Sequence, residues 1–314
     1  MIKVREASFS DIKQIVEINI ADVREWYHFD IMAREKLGKA CYDELTSFER
    51  YMHGGPWLDP KTFEQYFKLM KNWGGYIFVA EENGKIVSEI DIVIEPDFPT
   101  KLKAQMQWLF VHPDHRGKGI SSALMQHAFD FSRKMGCSFI ETVPEDEVVE
   151  SIYKHMGFEI IDYVHEFFVE EPINLETVNF EVRKSRDWGE NPSKNMYVVL
   201  GGFNHPVYDW ANLVEKQSLL EVLGLNKPVP SRIDICLGEK KIVGTDAEYQ
   251  RMWANREALR DIGFMKASIG FCINSSLNLG YGSVIIQCRS LKTSFLRELN
   301  ILERGKYPYM RKML

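Results

Sequence analysis

The sequence predicts an α/β protein in which a mixed sheet is covered by helices over about the first 175 residues, with a smaller α+β domain behind it. Three observations predict this. Segments of strand character alternate with segments of helical spacing along the first 170 residues. Glu82-Asn83-Gly84, a sequence suited to the positive φ angles of a tight turn, joins two β-rich arms. An apolar strand also runs straight into a helical pattern through HRGKGISSAL, residues 115–124, where two glycines expose the backbone.

The elements follow in order. IKVREAS reads as a strand closed by Ser8 and Ser10, and Ile12, Ile15, Val16, Asn19 and Val23 then fall at helical spacing behind a cap at Ser10 or Asp11. From Ala33 to Trp73 the pattern stays helical but breaks at HGGPWLDP, so two helices are expected, the second starting at Lys61. The hairpin YIFVAEENGKIVSEIDIVIEPD and the strand QMQWLFVHP come next. Ile120, Leu124, Ala128 and Phe131 define a helix stopped by Gly136. SFIETV is a strand, Glu147 to His155 a short helix ended by Gly157, and FEIIDYVHEFFVEE a strand.

Beyond EEPINLET the character changes. MYVVLGG, IDICLGEKKIVG, KASIGFCI and GSVIIQC read as strands around helical patterns near 206–223 and 247–262, which places a domain boundary near residue 175. NFEVRKS fits either side of that boundary. The basic tail SFLRELNILERGKYPYMRKML reads as an exposed helix and terminal segment.

Composition narrows the function. A net charge of −6 argues against a nucleic-acid-binding surface. The charged amino end lacks an apolar core of signal-peptide type, and no stretch approaches the roughly 20 apolar residues of a membrane span, so a cytoplasmic protein is expected. The five cysteines lack a CxxC pair and read as reduced thiols.

Glycines at a strand-to-helix junction let backbone amides converge, and the following helix adds unsatisfied N–H groups and a positive dipole end, a combination that holds phosphate. A triphosphate-binding loop would need Gly-Lys-Ser/Thr, whereas Lys118 here lies between Gly117 and Gly119. A dinucleotide GxGxxG starting at Gly117 would put its third glycine at Ser122. LFVHPDHRGKGISSAL instead resembles the acyl-CoA loop of the GNAT N-acetyltransferases: the triplet Leu109-Phe110-Val111, Pro113, then Arg116, Gly119 and, in place of the usual Gly/Ala, Ser121. Downstream, SIYKHMGFE is similar to the family's Tyr-x-x-x-Gly-Phe segment, and the resemblance covers about residues 2–170.

The resemblance implies a GNAT-like acyl-CoA N-acyltransferase fold, acetyl-CoA as acyl donor, no metal, and an amine of a small molecule or peptide as acceptor. It implies that backbone groups of Leu109, Phe110 and Val111 take the pantetheine where strands 105–111 and 138–143 splay, and that Arg116, Gly117, Lys118, Gly119, Ile120, Ser121 and Ser122 hold the diphosphate. Tyr153 occupies the position whose phenol protonates the leaving sulfur, and Glu141, twelve residues before it, a position that serves as base in relatives acetylating protein amino termini. Gln105 stands where another branch keeps a glutamate, and Asp146 replaces a common asparagine near the cofactor. Glu89 and Asp91 alternate with Ile90 and Ile92, which suits carboxylates lining an acceptor cleft and equally an exposed sheet face. His112 and His115 form HxxH without a further ligand and read as residues flanking the loop. Residues 176–314 carry no phosphate loop; they are expected to be a decayed second copy of the fold, or a module that closes the acceptor site or makes a homodimer. The non-enzymatic alternative is an acyl-CoA-binding regulatory protein.

Overall fold

A computed structural model describes residues 2–29, 36–97, 101–174, 178–201, 223, 230–290, 293–299 and 301–314. Among these residues the chain divides into two compact units, one of 2–94 and 106–136, the other of 95–105, 137–201 and 230–314. The expected helical pattern near 206–223 lies almost entirely outside the described residues.

In the first unit, β1 (Ile2–Glu6) pairs antiparallel with β4 (Gly75–Glu82), and β4 with β5 (Lys85–Asp97), whose neighbour is β6 (Lys101–Val111). Asn83 takes a positive φ of 52° and Gly84 one of 78°, as the β4–β5 turn requires. Helix α1 (Ile12–Ile20) buries Ile12, Ile15, Val16, Ile18 and Asn19. Its start is fixed by Asp11, which accepts from Ser8 N at 2.7 Å and pairs with Arg5 at 2.7 Å. Arg5 in turn reaches Glu81, which ties β1, β4 and the helix entrance together.

The region expected as two helices is more broken than its periodicity suggests. β2 (Trp26–Phe29) and β3 (Lys36–Ala40) form a two-stranded ribbon, followed by α2 (Ser47–Met52), a 3-10 turn Pro56–Leu58 and α3 (Pro60–Asn72). Asp59 caps α3 by accepting from Lys61 N and Thr62 N, and the helix starts at Pro60, one position before the expected start. Helix α4 (Ile120–Lys134) buries Ile120, Leu124, Met125, Ala128 and Phe129 along one stripe, packs Phe131 on Tyr76 and Phe78 of β4, and ends at Gly136, whose φ is 85°.

In the second unit the strand order is β6, β7 (Cys137–Thr142), β15 (Glu303–Met313), β8 (Glu159–Val169) and β14 (Val284–Arg289), with helix α5 (Glu147–His155) between β7 and β8 in sequence. β6 and β7 are parallel; the others pair antiparallel. The tail expected to be exposed is therefore corrected: after α8 (Thr293–Glu298) it becomes β15, an inner strand with Tyr309 and Met310 fully buried. The boundary drawn near 175 falls after β8, and β14 and β15, from beyond it, pair with β7 and β8. His165 of β8 helps hold them, bonded to Glu303 at 2.7 Å and Ser290 at 3.0 Å.

A further sheet in this unit has the order β10 (Tyr197–Leu200), β13 (Met252–Ala254), β12 (Lys240–Thr245), β11 (Arg232–Leu237), β9 (Glu181–Ser185), so NFEVRKS belongs here, paired with β11. Short α6 (Arg256–Leu259) leads into α7 (Ile262–Asn278). KASIGFCI, expected as a strand, is the middle of α7: Ala267, Ser268, Ile269, Gly270, Cys272 and Ile273 are all buried, so the segment lacks the polar stripe that reveals a surface helix. No helix among the described residues is long and apolar enough to cross a membrane.

Candidate active site

The glycine turn has the form its sequence predicts. β6 runs through His112 into a 3-10 turn Pro113–His115, then into Arg116-Gly117-Lys118-Gly119 and α4. Gly117 and Gly119 have φ of 75° and 76°, the left-handed region open to glycine, and a Cβ at either would meet nothing within 4 Å. The first intrahelical bond runs from Ala123 N to Gly119 O at 3.1 Å, which leaves the N–H groups of Ile120, Ser121 and Ser122 at the helix end. Gly119 is the N-cap, without a side-chain cap bond, so neither serine plays the capping role open to it in sequence. The open backbone, bare donors and helix dipole fit a diphosphate.

Arg116 donates to Val111 O at 3.1 Å, pairs with Asp22 at 2.8 Å and lies 5.5 Å from the Phe110 ring centroid. Both charges of that pair are half exposed, so the pair contributes little and is easily broken. Lys118 donates to Asp114 O at 3.0 Å, His112 accepts from Asp114 N, and His115 pairs with Glu82 at 2.9 Å. Leu109, Phe110 and Val111 are half-buried at the end of β6; Ser88 Oγ donates to Phe110 O, and His112 N to Val87 O at 2.9 Å.

Tyr153 lies in the last turn of α5, 6% exposed, packed on Phe158 and hydrogen-bonded to the Thr142 side chain. Burial pushes its phenol up to about 12, so it holds its proton at neutral pH. Asp146 caps α5 by accepting from Val149 N at 2.8 Å, and this helix start is the role the structure gives it.

Glu141 departs from its expected role. It is 1% exposed, bonded to Lys103 at 3.0 Å, to Arg311 Nε at 2.8 Å and to the Tyr309 hydroxyl, with Gln105 donating to its carbonyl at 2.9 Å. Burial pushes its carboxyl up, but Lys103, Tyr309 and Arg311 outweigh that and hold it below the usual range. A carboxylate fixed by two cations is an anion clamp with little basicity to offer an amine. Sequence reasoning missed its partners because Tyr309 and Arg311 belong to the tail read as exposed.

Glu89 and Asp91 depart in the other direction. Both are 0% exposed on β5, so the face expected to be open is covered. Asn19 donates to Glu89 and accepts from Trp108 Nε1 at 3.1 Å, while Trp57 Nε1 and the Tyr66 hydroxyl donate to Asp91 Oδ2 at 3.1 and 2.8 Å. Burial, and for Glu89 the neighbouring Asp91 charge, raise both carboxyls, Asp91 to about 7. Asn19 on an otherwise apolar helix face was the one signal of this enclosure.

A stability test follows from the raised Asp91. Its folded form keeps a proton from about pH 4 to about pH 7 that the unfolded chain releases, so stability declines as pH rises through that window. The groups around it are Glu89 and the Tyr66, Trp57 and Trp108 side chains. Asp91→Asn is expected to raise the melting temperature relative to the parent at pH 9 and to leave it close to the parent at pH 4; equal differences at both values would contradict the raised carboxyl.

Residues 39–158 match the acetyltransferase (GNAT) family. An uncharacterised N-acetyltransferase of Methanocaldococcus jannaschii is 35% identical over 123 residues, 38% of this chain and 53% of that protein. N-alpha-acetyltransferase 30 of Schizosaccharomyces pombe is 26% identical over 102 residues, 32% of this chain and 68% of the relative. The chain thus spans between about half and two thirds of the length of these relatives. Among solved structures, a GCN5-related N-acetyltransferase from Anabaena variabilis has the same fold, with a TM-score of 0.62, 14% identity and coverage of 100% of this chain and 73% of that one. Over residues 39–158, which carry the hairpin, the glycine turn and Tyr153, the chain is thus similar to the GNAT acetyltransferases.

Proposed function

We propose that the protein is an acetyl-CoA-dependent N-acetyltransferase that transfers an acetyl group directly to a primary amine of a small molecule or a protein amino terminus. The observation that carries this reading is the turn from Arg116 to Ser122, with its two left-handed glycines, empty surroundings and helix-end N–H groups. The names of the curated relatives support it.

Acetyl-CoA, when bound, supplies a carbonyl carbon activated as a thioester. The chain's own residues bind and orient it. N–H groups from Gly117 to Ser122 take the diphosphate, with Arg116 and Lys118 adding charge. Backbone groups of Leu109, Phe110 and Val111 take the pantetheine amides. Tyr153 keeps a proton for the departing sulfur, because burial holds its phenol neutral. Residues 176–314 supply no catalytic residue in this reading.

Thiol release from acetyl-CoA with a panel of amines, followed by mass analysis of the acceptor, tests the reading. Acetyl-CoA binding without acetylated product from any amine would favour a regulatory acyl-CoA-binding protein instead. Tyr153→Phe is expected to lower kcat on the order of 100-fold, the usual size of a lost proton-transfer group, with little change in KM for acetyl-CoA. An unchanged kcat across the pH range would remove Tyr153 from the mechanism.

A further inference from the structure

The first unit holds buried acids that the reaction as proposed leaves unused. Glu89 and Asp91 lie two apart on β5, and each keeps one carboxylate oxygen, Glu89 Oε2 and Asp91 Oδ1, without a hydrogen-bond partner among the described residues. No lysine or arginine among the described residues forms an ion pair with either acid. Buried acceptors of this kind are relieved either by a proton, which the raised carboxyls hold when the site is closed, or by a cation whose N–H donors complete them as carboxylates. The surroundings suit such a cation. The Trp57 and Trp108 rings stack at 4.3 Å and 18°, Trp108 runs parallel to Phe110 at 6.2 Å, and Tyr66 packs on Trp57 at 5.1 Å. An indole face attracts an alkylammonium ion and covers the methylenes behind it, and the Trp108 face becomes free for this once Trp57 moves off it.

We infer that the Glu89–Asp91 pair receives the ammonium group of the acceptor and takes its proton, and that the acceptor is an unbranched primary alkylamine. This rests on the transferase reading and narrows it. A primary ammonium brings three N–H donors, enough for the two open oxygens and for the Asp91 oxygen that Trp57 now occupies. The ion reaches the acids by displacing the half-buried Trp57 indole, which follows Gly54 and Gly55 in the turn before α3. An amino terminus of a peptide fits worse, because the carbonyl beside its nitrogen would add another acceptor to a site already rich in them.

Placement favours reaction there. Trp108 and Phe110 flank Leu109 on the strand proposed to take the pantetheine, and β5 is its neighbour, one strand spacing of about 4.8 Å away. The proton passes from nitrogen to a carboxylate oxygen, the freed nitrogen pair forms the C–N bond, the C–S bond breaks, and the sulfur takes its proton from Tyr153. Water then removes the carboxyl proton.

The test uses the full chain and n-butylammonium chloride, with tryptophan fluorescence and calorimetry as binding readouts and turnover measured separately. The parent is expected to bind butylammonium with a change in tryptophan emission and to prefer butylamine over the amide of alanylalanine as substrate. Glu89→Gln with Asp91→Asn is expected to weaken butylammonium binding at least tenfold and to lower kcat/KM for butylamine at least 100-fold, with acetyl-CoA affinity unchanged. Equal butylammonium affinity and turnover in parent and double variant, or preference for the dipeptide amide, would overturn the inference. Failure of acetyl-CoA to bind the parent would instead count against the transferase reading, since butylammonium binding is measured without it. Should the double variant not fold, Glu89→Gln alone, which leaves Asp91 and its donors in place, carries the same expectation.

Discussion

Gly119→Glu is expected to lower acetyl-CoA affinity by about 100-fold or more while the protein keeps its fold. Two effects separate in this variant. A side chain at φ 76° strains the free and the bound protein alike, so it lowers stability by about 1–2 kcal/mol and leaves binding untouched. The carboxylate acts on binding alone. A negative charge about 4 Å from a phosphate oxygen costs about 4 kcal/mol at an effective dielectric of 20, and each 1.4 kcal/mol is tenfold in Kd. Gly119→Ala supplies the comparison: its Cβ meets no atom of the protein within 4 Å, so it shares the strain, adds no charge, and is expected to reduce affinity far less. Calorimetric titration of acetyl-CoA into both variants, with circular dichroism as a check of fold, measures the difference. Equal affinities for the Ala and Glu variants would mean that the diphosphate sits elsewhere.

What could be read from sequence was whatever is encoded by neighbours in the chain. The β4–β5 turn, the glycine loop and α5 with its Gly157 stop all depend on residues within a few positions of one another, and all appear where their sequences put them, whereas IDICLGEKKIVG, read as one strand, is the hairpin of β11 and β12. β15 is the opposite case. Its partners, Glu159–Phe167 and Phe139–Thr142, lie more than 130 residues earlier, and nothing within KYPYMRKM says that a strand is waiting. Basic residues there looked like a solvated tail, although Arg311 is in fact placed against Glu141 and over the Phe139 ring at 3.8 Å. α7 was misread because burial on all sides erases the 3.6-residue period that separates helix from strand. The same limit applies at the site. Alternation correctly placed Glu89 and Asp91 on one face of β5, but their burial depends on Asn19, Trp57, Tyr66 and Trp108, drawn from α1, the 3-10 turn, α3 and β6.

Lys103→Met is expected to destabilise the protein by about 3–5 kcal/mol at neutral pH, the usual result of removing one partner from a buried ion pair. Lys103 is 5% exposed and bridges Glu95 at 3.3 Å and Glu141 at 3.0 Å. Burial alone would lower its ammonium pKa, but Tyr309, Glu95 and Glu141 reverse that and raise it, so the charge is fixed in place. Methionine fills the volume and leaves the two carboxylates short of a cation. The pH dependence has a definite sign. Glu141 is held below its ordinary range in the parent, so its contribution is present above that range and is lost as pH falls. The loss from Lys103→Met should therefore be largest at pH 7 to 8 and shrink toward pH 4, where the stranded acids take up protons. Adding Glu141→Gln to Lys103→Met removes one of the two carboxylates that lost Lys103, leaving Arg311 to face a neutral amide, and should recover part of the loss. Urea unfolding of the parent, single and double variants at both pH values measures these differences. Hydrogen exchange gives their location: because Tyr309 and Arg311 reach the same carboxylate from β15, amides of residues 307–312 should lose protection first. A single variant within about 1 kcal/mol of the parent at pH 8 would show that the inner strand is held by its backbone ladder and packing rather than by these charges.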